Sequence, residues 1–294
     1  MDRRTFIRSA GAAAALAPLL LRQALAANEA SLLAVAEGGD YPAITRKAIN
    51  AVGGMKRFVK AGDVVVVKPN MGWDRSVEQA ANTHPQVVRA VVEECLSAGA
   101  KKVKVFDYTC NDARRCYVNS GIENALKGMK RVECKQIEPE RFKKVQLNGR
   151  FLKEWELYDE VLSANVFINV PVAKHHGLSK LTLGLKNIMG IMGGNRGFIH
   201  RNLDTALADV NSYVRSHLTV IDATRILTAH GPQGGSLGDV KRLDKVIASA
   251  DIVAADAFAT TLFGMKPVDI PSTLSAYRRG LGEMNLDKIR VIRV

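Results

Sequence analysis

The side chains best suited to chemistry are concentrated in residues 170–200, VPVAKHHGLSKLTLGLKNIMGIMGGNRGFIH. Basic, imidazole and amide side chains lie there among glycines and small apolar residues. A lysine can hold an anion or, when desolvated, act as a base or a Schiff-base nucleophile, and a histidine moves protons near neutral pH. We therefore predict four catalytic residues, which are Lys174, His175, His176 and Lys186.

A second set of polar residues is predicted to bind an anionic ligand. Its members lie beside glycines or at the end of an apolar run, and they are Lys68, Asn70, Asn187, Gly193, Gly194 and Arg196. In such settings an ammonium group loses hydration, which a carboxylate or phosphate ligand would replace. The alternative is an internal ion pair from a lysine to Asp107, Asp222 or Asp256. The glycines form neither a Walker nor a dinucleotide fingerprint, which argues against nucleotide cofactors of those types.

The same region could also hold a divalent metal ion, since imidazole nitrogens and carboxylate oxygens are common ligands. The predicted metal ligands are His175, His200, Asp222 and Asp256. Neighbouring residues of an extended segment point to opposite faces, so only one of His175 and His176 can enter a given site. The cysteines contain no C-x-x-C pair, and the sequence therefore has no iron–sulfur cluster motif.

Alternating strand and helix patterns position these residues. Apolar runs predict strands at residues 31–36, 63–68, 102–106, 132–137, 144–147, 166–172, 218–221, 246–248 and 289–294. Helical spacing predicts helices at residues 41–52, 83–98, 122–127, 204–217 and 249–262. This order predicts an α/β fold with a mostly parallel sheet and helices on both faces. The candidate residues would then meet at the carboxyl edge of the sheet, where open α/β sheets bind ligands.

Composition narrows the choice of partners. The 294 residues carry a formal net charge of +13, which favours an acidic partner. The basic residues are scattered between apolar segments, and no nucleic-acid-binding module accompanies them. We therefore expect a small anionic molecule as the ligand and no nucleic acid.

The N-terminus predicts export. Residues 2–8, DRRTFIR, resemble the twin-arginine signal, and an apolar run at residues 10–21 is too short to span a bilayer. Small residues around Ala26 suit a signal peptidase. We expect residues 1–26 to be a signal peptide read by the twin-arginine export machinery. Residues 27–294 would form one periplasmic α/β domain without a stable membrane span. There, Cys110 and Cys116 could form a local disulfide.

Four motifs together resemble a known family. They are KPN at 68–70, AKHHGLSKLTLGLKNIMGIMGG at 173–194, VIDATRILTAHGPQGG at 220–235 and SADIVAADAFA at 249–259. Their order and spacing are similar to those of the bacterial and archaeal family called domain of unknown function 362, over roughly residues 30–294. Some members carry an iron–sulfur ferredoxin module, for which this chain lacks the cysteines. The histidine and lysine content also loosely resembles the active region of lactate-racemase-type proteins, which hold a nickel cofactor.

These observations predict an exported enzyme. Lysines would hold the carboxylate or phosphate of a small substrate while a histidine moves a proton. A periplasmic metal- or cofactor-handling protein and a non-catalytic binding protein for an anionic metabolite are the alternatives.

Overall fold

A computed structural model describes residues 31–294, so the predicted signal peptide lies outside the described residues. The strands are β1 (Ser31–Glu37), β2 (Val64–Pro69), β3 (Lys102–Val105), β4 (Val132–Cys134), β5 (Phe142–Gln146), β6 (Glu154–Tyr158), β7 (Val166–Val170), β8 (Val172–His176), β9 (Lys180–Thr182), β10 (Leu218–Leu227), β11 (Val240–Ser249) and β12 (Ile289–Arg293).

Ten α-helices occur in this described part of the chain. They are α1 (Tyr41–Ala51), α2 (Pro85–Ser97), α3 (Ala113–Asn119), α4 (Ile122–Leu126), α5 (Asp159–Leu162), α6 (Gly184–Asn187), α7 (Arg196–Ile199), α8 (Leu203–Tyr213), α9 (Ile252–Thr261) and α10 (Pro271–Arg278). Short 3₁₀ turns extend several of the connections, and one of them, Ile188–Ile191, directly follows α6. Among residues 31–294, no helix has the length and apolar content needed to cross a membrane.

The main sheet has the strand order β12-β1-β11-β10-β7-β2-β3-β4. The strands from β10 to β4 are all parallel, whereas β11 runs antiparallel to both β1 and β10. After β7 the chain continues as β8, which pairs in parallel with β10 and forms an antiparallel hairpin with β9. The predicted α/β fold with a mostly parallel sheet is therefore confirmed.

Helices cover both faces of the sheet, as predicted. In β2, Val65 and Val67 pack in the core that contains α1 and α2, while Val66 between them packs in the core that contains α8. All three side chains are fully buried. This explains why DVVVVK has no polar face: a central parallel strand must be apolar on both sides when helices cover both.

Several predicted boundaries need correction. The strand predicted to end at Ile221 continues through Asp222 to Leu227, and β11 is ten residues long rather than three. Antiparallel pairing between these two strands holds their polar halves in the sheet. The helix predicted to begin at residue 83 has His84 as its N-cap, and the Thr83 hydroxyl donates to the Val170 carbonyl. Asp251 does cap α9, through the backbone N–H groups of Val253 and Ala254.

Candidate functional site

A cavity of about 490 Å³ lies where β2, β3 and β8 end. In the part of the chain that the structure describes, four basic side chains and a single carboxylate line it: Lys68, Lys174, Lys186, Arg196 and Asp107. The structure thus brings together four of the predicted basic residues, which are up to 128 positions apart in the sequence. This excess of positive charge in a concave, partly apolar site favours an anionic ligand.

Lys68 forms the internal ion pair that was the alternative to ligand binding. Its Nζ lies 2.8 Å from Oδ1 of Asp107, and both side chains are buried. Burial lowers the pKa of Lys68, and the neighbouring Asp107 carboxylate opposes this shift. A Cβ at position 190 would lie 1.7 Å from Asp107 Oδ1, so Gly190 is required for this close approach.

Two asparagines connect Lys68 to Lys174. Oδ1 of Asn187 accepts hydrogen bonds from Lys68 Nζ at 2.9 Å and from Asn70 Nδ2 at 3.0 Å. Oδ1 of Asn70 in turn accepts from Lys174 Nζ at 3.0 Å. Asn187 Nδ2 donates to Asn169 and to the carbonyl of Lys68. The side-chain oxygen and nitrogen of Asn187 are therefore both hydrogen-bonded, and these bonds determine the orientation of its amide group.

Lys174 is fully buried, yet no carboxylate of the described residues lies within ion-pairing distance of its ammonium group. Its Nζ donates to Asn70 Oδ1 and to the carbonyl of Ala81, and it lies 5.7 Å from the centre of the Trp73 ring. Burial lowers its pKa to about 7, although Cys110 and Asp107 act in the opposite direction. A pKa near neutrality is what a side chain needs in order to donate and accept protons at neutral pH.

Lys186 and Arg196 also line the cavity. Nζ of Lys186 donates to the sulfur of Met189, a weak acceptor, and burial lowers the pKa of this lysine to about 8. Arg196 stacks 4.3 Å from the centre of the Tyr108 ring and donates to the carbonyls of Tyr108 and Thr109. Arg196 is thus held by the backbone, whereas Lys186 has no strong acceptor among the described residues.

The two adjacent histidines have different surroundings, as the alternation of an extended strand requires. His176 lines the lysine cavity, and its Nδ1 accepts from the N–H groups of Leu178 and Ser179. Burial and the nearby Lys186 lower its pKa to about 3. His175 lines only a second cavity of about 600 Å³, which His176 also borders, and the Nδ1 of His175 accepts from the N–H of Gly231. His200 lies at the lysine cavity, and burial lowers its pKa.

The predicted metal ligands do not come together. Asp256 accepts from the N–H groups of Gly184 and Leu185, and Asp222 accepts from Thr224 and from the N–H of His84. Both carboxylates therefore hold backbone in place. Within residues 31–294, histidine, cysteine and acidic residues form no group of three that could bind a metal ion. The prediction of His175, His200, Asp222 and Asp256 as one ligand set is therefore wrong for the described residues.

Two further predictions also require correction. Gly193 and Gly194 do not line the cavity but lie against β6, where the Gly193 N–H donates to the Glu156 carbonyl. A Cβ at Gly193 would lie 2.7 Å from the Phe142 ring, whereas Gly194 has a φ of +61°, which favours glycine. Cys110 and Cys116 are both free thiols, so the possible local disulfide is not formed in the structure.

The sequence did not single out several cavity residues. Trp73, Tyr108, Cys110 and Thr182 line the cavity, and Asp107 was considered only as a counter-ion. Asp107 lies two residues after the end of β3, and a position near the end of a strand is the same signal that marked Lys68 in β2. Thr182 carried no comparable signal because the β8–β9 hairpin reads in the sequence as a glycine-flanked loop.

The model of the family described as domain of unknown function (DUF362) matches residues 65–261. That match covers both β2 and the whole lysine cavity, and the chain belongs to this family. A relative, the thylakoid-associated protein sll1697 of Synechocystis, is 27% identical over 259 residues, which are 83% of this chain and 77% of that protein.

Two solved structures are similar to this chain at low sequence identity. The lactate racemase apoprotein of Thermoanaerobacterium thermosaccharolyticum gives a TM-score of 0.50 at 11% identity, over 78% of this chain and 56% of that one. A protein of Thermotoga maritima gives a TM-score of 0.44 at 12% identity, over 78% of this chain and 60% of that one. This chain thus spans little more than half of the racemase, and the likeness concerns the fold alone.

Proposed function

We propose that this protein is an enzyme that binds a small organic anion in the lysine cavity and moves a proton with Lys174. One observation carries the proposal: the ammonium groups of the buried Lys174 and the half-buried Lys186 lie in one cavity, and no carboxylate of the described residues pairs with either of them. A buried ammonium without a counter-ion is costly, and an anionic ligand offsets that cost.

The histidine mechanism expected from the sequence is replaced by a lysine mechanism. With a pKa of about 3, His176 stays neutral and accepts protons poorly at neutral pH, whereas Lys174 has a pKa of about 7. An acid or base works best when its pKa is near the working pH. Lys186 and Arg196 would hold the anionic group of the substrate, and Lys174 would transfer the proton.

Binding and turnover are tested separately. Thermal-shift and calorimetric titrations with inorganic phosphate, pyruvate, malate and 3-phenyllactate measure binding. Incubation of the same organic acids in D₂O, followed by NMR, measures exchange of carbon-bound protons. Wild-type protein should bind at least one of these anions and exchange its proton. Lys174→Met should bind at least tenfold more weakly and lose exchange, whereas Lys130→Met, which changes an exposed lysine, should match the wild type.

The other outcomes of these experiments would favour the alternative functions or overturn the anion site. Binding without exchange or any other turnover would replace the enzyme with a non-catalytic binding protein for an anionic metabolite. Failure of all four anions to bind would overturn the anion site itself. A full equivalent of metal in protein from the native host would instead favour the metal- or cofactor-handling function.

We also propose that the protein is exported to the periplasm by the twin-arginine machinery. The sequence DRRTFIR at residues 2–8 supports this. Fractionation of cells should find the protein in the periplasm with a new N-terminus near Ala26, and replacement of Arg3 and Arg4 by lysine should retain it in the cytoplasm. Equal distribution of the wild type and the double variant would contradict export by this route.

A further inference from the structure

The buried hydroxyl of Thr182 lines the cavity and lacks a hydrogen-bond partner among the described residues. Thr182 ends β9 and is only 3% exposed, and its Oγ1 has no hydrogen-bond partner among the described residues. The same side chain lines the lysine cavity. Buried polar atoms are almost always paired, so an unpaired one at the wall of a cavity indicates a group that a ligand completes.

The strand register places the side chain of Thr182 on the same face of the β8–β9 hairpin as that of Lys174. Thr182 lies directly opposite Lys174 in the antiparallel β8–β9 pair. Directly opposed residues share one face of a sheet, with their Cβ atoms about 4.5–5.5 Å apart. Two acceptors, Asn70 and the Ala81 carbonyl, already bind the Lys174 ammonium. The Thr182 side chain therefore lies on the same face of the hairpin as that of Lys174, and the hydrogen-bonding capacity of its hydroxyl remains unused.

The rest of the cavity suits a ligand larger than a simple inorganic ion. Trp73, Leu178 and Met189 contribute apolar surface to it, and Leu178 is 71% exposed. Its volume of about 490 Å³ lies in the range of about 300–1,000 Å³ that is typical of sites for medium-sized organic molecules. The polar and apolar walls together match a molecule with a charged end and an apolar body.

We infer that Thr182 is a specificity-determining residue that binds a second polar atom of the substrate, close to its charged group. The substrate is then an oxygenated organic anion with an apolar body rather than a plain carboxylate or a free inorganic ion. This inference rests on the proposed function, because it requires that the lysine cavity binds an anion.

The experiment compares two carboxylates that differ by one oxygen. 3-Phenyllactate and 3-phenylpropionate have the same apolar body, but only the first carries a hydroxyl. Isothermal titration should show that the wild type prefers phenyllactate by about 5–10-fold, the usual effect of one hydrogen bond. Thr182→Val should reduce this preference to less than twofold, and Thr182→Ser should retain it.

The melting temperature without ligand separates a binding role from a structural one. Thr182→Val loses no protein hydrogen bond, so its melting temperature should equal or exceed that of the wild type. Thr224→Val is the matched control, because the buried Thr224 hydroxyl donates to Asp222 at 2.7 Å. It should melt at a lower temperature with an unchanged preference between the two carboxylates.

The inference and the proposed function fail in different ways. If the wild type binds both carboxylates equally, or if Thr182→Val keeps the preference, the role of Thr182 is overturned while the anion site stands. A clear loss of melting temperature in Thr182→Val with an unchanged preference would also overturn it. If the wild type binds neither carboxylate nor inorganic phosphate, both the anion site and this inference fall.

Discussion

Asp209 and Lys174 are both fully buried, but their charges have different partners. Asp209 accepts from the N–H groups of Arg150, Phe151 and Leu152 and pairs with Arg279 at 2.5 Å. Lys174, equally buried, has two neutral carbonyl acceptors and no ion pair in the described part of the chain. Burial costs both groups hydration, but only the carboxylate is fully compensated within the protein. The difference indicates that Asp209 maintains the fold and that Lys174 is available for a ligand.

The largest change in the free energy of unfolding is expected when the buried carboxylate of Asp209 is replaced. Burial disfavours ionised Asp209, yet its hydrogen bonds to Leu152 and Arg279 outweigh this and hold the pKa of Asp209 below its usual value. Asp209→Asn should lower the free energy of unfolding by about 3–5 kcal/mol, because it leaves Arg279 and backbone donors unpaired. Urea denaturation measures this. Asp287→Asn, which changes an exposed carboxylate, is the control and should have little effect.

Replacement of Lys174, whose buried ammonium group has no counter-ion among the described residues, should instead raise the free energy of unfolding. Lys174→Met should raise the free energy of unfolding by about 1–4 kcal/mol at pH 6, because it removes a buried ammonium. Burial lowers the pKa of Lys174 from 10.5 to about 7, so the unfolded state binds more protons between these values. Wild-type stability should therefore rise with pH above about 7, and the advantage of the variant should shrink. A variant less stable than the wild type at pH 6 would show that Lys174 supports the fold.

Anion affinity should follow the same titration. Above pH 7 the free protein loses the Lys174 proton and then that of Lys186, whose pKa is about 8. The dissociation constant for 3-phenyllactate should rise up to about tenfold per pH unit above pH 7.5, and binding at pH 8 should take up protons. Calorimetry in buffers of different ionisation enthalpy measures both. A constant affinity from pH 6.5 to 9 would mean that neither lysine contacts the ligand.

The smallest effect is expected at Asp256, the carboxylate that is least fully compensated. Burial raises its pKa from 3.8 to about 7, while hydrogen bonds from Leu185 and Gly184 oppose the shift. The stability that this group contributes is thus present at low pH and lost as the pH rises through about 7. Asp256→Asn should cost about 1 kcal/mol at pH 5, for one lost acceptor, and less at pH 8. An equal cost at both pH values would contradict a raised pKa.

The sequence predicted the elements whose residues are uniformly buried. DVVVVK and the run at residues 166–172 mark central strands because both faces are covered, and Lys68 and Asn70 follow from the end of such a strand. The β8–β9 hairpin was missed, since its cavity-facing residues Lys174 and Thr182 are polar and read as a loop. Local pattern does not distinguish a polar residue that faces water from one that faces an enclosed cavity.

The metal-ligand prediction was wrong for two carboxylates that bind backbone N–H groups far away in the sequence. Asp222 was assigned to a metal because it appeared to follow a strand, but β10 continues through it, and it binds the backbone of His84. Asp256, which lies in the helix predicted at residues 249–262, was also assigned to the metal, but it accepts from the N–H groups of Gly184 and Leu185. Neither partner can be read from the sequence, because each contact spans more than 70 residues.

The asparagine network determines how precisely the reactive amine can be held. Asn187 is anchored to the carbonyl of Lys68 in β2 and to Asn169 in β7, which are paired across the central sheet. Because Asn187 orients Asn70, and Asn70 orients Lys174, the position of the Lys174 ammonium group is linked by hydrogen bonds to two paired strands at the centre of the sheet.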